Sequence, residues 1–60
     1  MSTRYEVIAA IHDKTNPQKP PVYARVWVKD RGEWKTKRIA EKHMREYRAT
    51  HLTETWVQEV

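Results

Sequence analysis

The chain has 60 residues, a formal net charge of +4 and no cysteine. A chain of that length buries only about 60% of its unfolded surface, which leaves room for one small core and a single domain, residues 1–60. Disulfide staples and thiolate metal sites are excluded, and no apolar run approaches the roughly 20 residues of a membrane span.

The opening residues, Met1 to Val7, lack the apolar segment of a secretory signal. With no cysteine, a cytoplasmic setting is the expectation, and no membrane partner is expected. Arg4 to His12 alternates imperfectly. Tyr5, Val7, Ala9 and Ile11 share one side, while Ile8 and Ala10 join Glu6 and His12 on the other. Apolar residues on both sides suit a strand that is paired or covered on both faces. Asp13 to Pro21 holds all three prolines of the chain and reads as a loop.

Val22 to Arg38 reads as a hairpin. Val, Tyr and Trp suit a pleated, half-buried surface. Strand side chains alternate, so Val22, Ala24, Val26 and Val28 fall on one side, and Tyr23, Arg25, Trp27 and Lys29 on the other. Asp30, Arg31 and Gly32 supply the turn, with glycine closing it as a bulge. That register places Val28 near Trp34, Val26 near Thr36 and Arg25 near Lys37. Like charges facing across a ladder are mildly destabilising, so Arg25 opposite Lys37 suggests repulsion held in store for an anionic partner. A competing reading makes residues 31–50 one helix, with Asp30 and Glu33 as its capping box. In that helix Ile39, Ala40, His43, Met44 and Tyr47 share a face, and Trp34 is stranded opposite them. The hairpin is therefore preferred.

The helix is expected from Ile39 to about Thr50, with Ala40, Met44 and Tyr47 as its apolar stripe. Leu52 to Val60 alternates again and predicts a last strand, which joins the sheet edge or pairs with a second molecule. The expected fold is α+β: a small antiparallel sheet of three to four strands with one helix packed on one face, in the order β-β-β-α-β. In layout, three strands followed by a helix is similar to the sheet-reading DNA-binding modules of the ethylene-response-factor and integrase arm-binding type. The strand after the helix departs from them.

Charge is uneven. Residues 25–48 hold nine Lys or Arg against four acids, a local +5. Such a field attracts phosphates and acidic surfaces. The candidate nucleic-acid-binding face is Tyr23, Arg25, Trp27, Lys29, Lys35 and Lys37. Aromatics offer stacking surfaces to bases, and Lys and Arg neutralise phosphates and release counterions. The expectation is a small, basic, non-enzymatic protein that binds DNA or RNA. The alternative is an accessory or inhibitory protein of the phage or mobile-element kind, docking on a protein partner through Trp27, Trp34 or Trp56. A homodimer through an exposed edge strand is a further expectation from small size.

No cofactor is expected. His43 and His51 are eight apart rather than the four that puts two metal ligands on one helix turn, so no metal site is expected. No nucleophile elbow, phosphate-cradling loop or paired-carboxylate motif is present. A metal-free ribonuclease that casts His12, His43, His51 and Glu46 as acid, base and clamp is a further reading, set well behind the binding ones.

Overall fold

The computed structural model describes residues 3–60. Three strands and one helix follow in the order β1 (Tyr5–Ile11), β2 (Val22–Arg25), α1 (Lys37–His51) and β3 (Thr55–Glu59). The sheet is antiparallel, with β1 in the centre between β2 and β3. The class is the expected one: α+β, with a small sheet carrying one helix. Ala9 lies opposite Ala24 and Thr55, and Val7 lies opposite Val57.

Alternation decides which residues the helix covers. Val7 and Ala9 point toward α1 and form the core with Val26, Trp34 and Ala40, with Tyr5, Val28, Met44, Tyr47 and Val57 packed around it. The central strand carries apolar residues on both sides: Val7 and Ala9 pack with Ala40 of α1 on one face, and on the other Ala10 is fully buried. On the face without a helix stand Glu6, Ile8 and Ala10, flanked by Arg25 and Tyr23 on β2 and by Gln58 and Trp56 on β3.

The second arm of the expected hairpin does not form a strand. β2 ends at Arg25, and the Val26 amide still donates to the Val7 carbonyl at 2.8 Å. The chain then leaves the sheet and returns at Trp34, which exchanges two backbone hydrogen bonds with Tyr5, each 2.8 Å. Val28 pairs with Arg31, not with Trp34. The order is therefore β-β-α-β, and the three-strands-then-helix layout does not hold. The physical reason is the Trp34 indole. By pairing with β1 rather than with Val28 it enters the core at 5% exposure and stacks on His43 at 4.8 Å.

The turn also lies one residue earlier than expected. Lys29 and Asp30 occupy the left-handed region, with φ of 52° and 61°, whereas Gly32 has no positive φ. Two left-handed residues joining a paired Val28 and Arg31 match a two-residue hairpin turn that favours Asn-Gly. An L residue held there costs about 1–2 kcal/mol. Asp30→Gly should therefore raise stability by about 0.5–1 kcal/mol after the entropy cost of glycine, read as a higher urea midpoint. An unchanged or lower midpoint would contradict the turn geometry.

Helix α1 starts at Lys37, two residues before the expected Ile39, because Thr36 caps it; the Ile39 amide donates to Thr36 Oγ1 at 3.3 Å. It ends at Leu52, a left-handed residue whose amide donates to the Arg48 carbonyl. Arg48 then ties the helix to β3: its Nη2 donates to the Thr55 carbonyl at 2.6 Å and its Nε to Thr55 Oγ1 at 3.1 Å. The last strand begins at Thr55, not Leu52, because residues 52–54 make this turn. In the connecting loop, the Thr15 hydroxyl and amide donate to Asp13 and hold its carboxyl below the usual carboxylate value. No helix among the described residues is long and apolar enough to cross a membrane.

Candidate functional site

The helix-free side of the sheet is organised by Arg25. Alternation along β2 sends its side chain to that side, where its Nε lies 2.7 Å from Glu6 Oε2 and its Nη1 3.4 Å from Glu33 Oε1. The guanidinium carbon sits 5.7 Å from the centre of the Trp27 ring, within cation–π range. Gly32 lies under this pair. A Cβ there would stand 2.6 Å from Arg25 Cδ and 3.2 Å from the Trp27 ring. The glycine serves this close approach rather than the turn.

Glu6 is only 7% exposed. A buried carboxylate must be paired and hydrogen-bonded to be tolerated. Glu6 meets Arg25 on one side and accepts from Gln58 Nε2 at 3.0 Å on the other. Glu33 is shared with Arg4, whose Nη1 is 3.6 Å away. The centre of the face is thus a closed set of two arginines and two carboxylates.

Around that set lie aromatic rings. Trp27 is 62% exposed and Tyr23 63% exposed. Tyr23 meets Trp56, itself 37% exposed, edge to face at 5.5 Å. The two rings come from strands on opposite sides of β1, so they lean toward each other above it. Ile8 and Ala10 form the floor between them as the ladder partners of Trp56 and Tyr23.

The six candidate residues separate into groups. Tyr23, Arg25 and Trp27 come together on the open face. Lys35 borders the cleft beside it, with Arg4, Arg31 and Trp34. Lys29 sits in the tight turn and borders a different cleft, with Val28 and His43. Lys37 opens the helix and does not oppose Arg25, whose ladder partner is Ile8. The stored repulsion expected between Arg25 and Lys37 is replaced by attraction to Glu6 and Glu33.

Arg31 and Glu6 are not among the candidates, and Trp56 is one only as an anchor for a protein partner, not as part of the nucleic-acid-binding face. The alternation of residues 52–60 marks Trp56 as a strand residue but not the face it joins, which depends on pairing with β1. Arg31 was hidden by its assignment to the turn centre, and Glu6 by its reading as a polar interruption of an apolar strand. The histidines are dispersed. His43 stacks on Trp34, with Nδ1 3.6 Å from Glu46, while His12 and His51 border a cleft near the end of the helix. Among the described residues, no three His, Asp or Glu side chains converge on a point that would hold a metal. No family model matches the chain, and no curated protein or solved structure shows a significant match to it.

Proposed function

We propose that the protein is a small, non-enzymatic nucleic-acid-binding module that uses the helix-free face of its sheet. One observation carries this reading: an exposed Trp27 stands beside Arg25, and Arg31 and Lys35 border the same cleft without an ion-pair partner among the described residues. Asp30 and Glu33 line that cleft too, against Arg4, Arg25, Arg31 and Lys35, so the cations remain in excess beside the exposed ring. Such a surface suits bases and phosphates. The absence of cysteine supports a cytoplasmic setting.

The reading predicts steep salt dependence. With Arg31 and Lys35 as the phosphate contacts, affinity for DNA or RNA should fall by about 7- to 12-fold between 50 and 200 mM salt. The variant Arg31→Ser with Lys35→Ser should lower the salt slope by between about one and two, because each phosphate contact contributes roughly 0.7–0.9. Arg25 is unsuitable for this test, since it holds the buried Glu6. Titration of labelled nucleic acid at several salt concentrations makes the measurement. Binding that ignores salt, or no binding at all, would reject the reading.

A second reading has its own support. Glu6 and Glu33 neutralise the centre of the face, and Ile8 and Trp56 make part of it apolar. That favours a protein partner gripped through Trp27 and Trp56, as expected of a phage-type accessory or inhibitory protein. A partner that stays bound to the protein after nuclease treatment of a lysate would support this reading over the first.

A further inference from the structure

We infer that the nucleic acid taken by this face is single-stranded, with unpaired bases stacking on Trp27 and on the Tyr23–Trp56 pair while Arg31 and Lys35 hold the backbone phosphates; this rests on the nucleic-acid reading above. The state of Arg25 is the first reason. A strand arginine that reads a duplex must extend to base edges at the bottom of a groove. Arg25 is instead held by Glu6 at 2.7 Å and Glu33 at 3.4 Å, and it lies against Trp27 and over Gly32. Freeing it would strand the buried carboxylate of Glu6. The face therefore lacks an extended reader and offers fixed rings.

The rings are the second reason. Trp27 is backed by Arg25 and Gly32 yet remains largely exposed, so it is a braced platform rather than a loose side chain. Tyr23 is braced in the same way by Trp56. Stacking needs the flat face of a base, which a duplex keeps inside its own stack and a single strand presents. The charges agree with this division. The unpaired cations Arg31 and Lys35 stand at the rim with Trp27, while the Tyr23–Trp56 side has Ile8 and Ala10 as its floor.

Fluorescence anisotropy decides the matter with four probes: a labelled 12-nucleotide DNA strand of mixed sequence, its RNA equivalent, and the duplex of each. The single strands should bind at least about tenfold more tightly than the duplexes. Trp27→Leu should weaken strand binding by about 5- to 150-fold, the range expected for loss of one stacked base. Trp56→Leu should weaken it similarly, and Trp56→Phe should retain most of it. If Trp56→Leu fails to fold by circular dichroism, Trp27→Leu and Trp56→Phe carry the test. Both DNA and RNA strands should bind, because every base has a flat face; binding of only one would overturn stacking as the selector. Duplexes binding as well as strands, or Trp27→Leu binding as well as wild type, would overturn the single-strand inference and leave the nucleic-acid reading standing. No binding to any probe would overturn both.

Discussion

Trp34→Ala should leave the protein largely unfolded at room temperature. Removing a buried tryptophan costs about 3–5 kcal/mol, because the surrounding side chains collapse only partly into the space left. At roughly 0.05–0.15 kcal/mol per residue, a chain of 60 residues has about 3–9 kcal/mol to lose. The substitution thus removes a large share of the total. Trp34 is 5% exposed and stacks on His43, and its backbone closes the ladder at Tyr5. The alanine variant should show no cooperative urea transition by circular dichroism, or one displaced close to zero denaturant. A midpoint near that of wild type would mean that this indole does not hold the excursion against the sheet.

The second large effect is expected at Arg25. Replacing it with methionine keeps much of the aliphatic stem but leaves Glu6 buried without its cation. Breaking one side of a buried pair costs about 3–5 kcal/mol. Arg25 is about one-third exposed in its side chain, 35% against 10% for Glu6, so water screens part of the loss and about 2–3 kcal/mol is expected. Adding Glu6→Gln to Arg25→Met removes the orphaned charge and keeps an amide opposite Gln58. The double variant should return to within about 1 kcal/mol of wild type, and the cycle of urea midpoints measures the coupling. Additive losses would show that the two side chains do not depend on each other.

The strands and the helix were legible because each carries its own period. Residues 5–11, 22–25 and 55–59 alternate, and Ala40, Met44 and Tyr47 recur at helical spacing. The division at residues 26 and 27 was legible for the same reason, Val26 being buried and Trp27 exposed, whereas Val22, expected on the covered side, is 61% exposed. The pairing of residues 28–34 was not. Locally, Asp30-Arg31-Gly32 resembles a bulged turn, and Val28 opposite Trp34 is a reasonable pair. The chain instead turns at Lys29–Asp30 and gives Trp34 to Tyr5, a partner distant in sequence. Local turn chemistry loses to the burial of one large ring.

The centre of the candidate face was hidden by the same kind of distance. Glu6 and Glu33 meet Arg25 from two segments that only the folded sheet brings together. A reading of residues 22–38 alone finds arginine and lysine facing each other and infers repulsion. The fold supplies carboxylates and turns Arg25 into a fixed support for Trp27. Trp56 reaches the face through its register with Ile8, which no local pattern specifies.

The most direct test of the open aromatic face uses the indole N–H signals of the three tryptophans in a 15N-labelled protein titrated with a short single strand. The nucleic-acid reading predicts that the Trp27 and Trp56 signals move by clearly more than the Trp34 signal, whose ring is 5% exposed although it borders the cleft. Binding that shifts Trp34 while Trp27 and Trp56 remain fixed would contradict it.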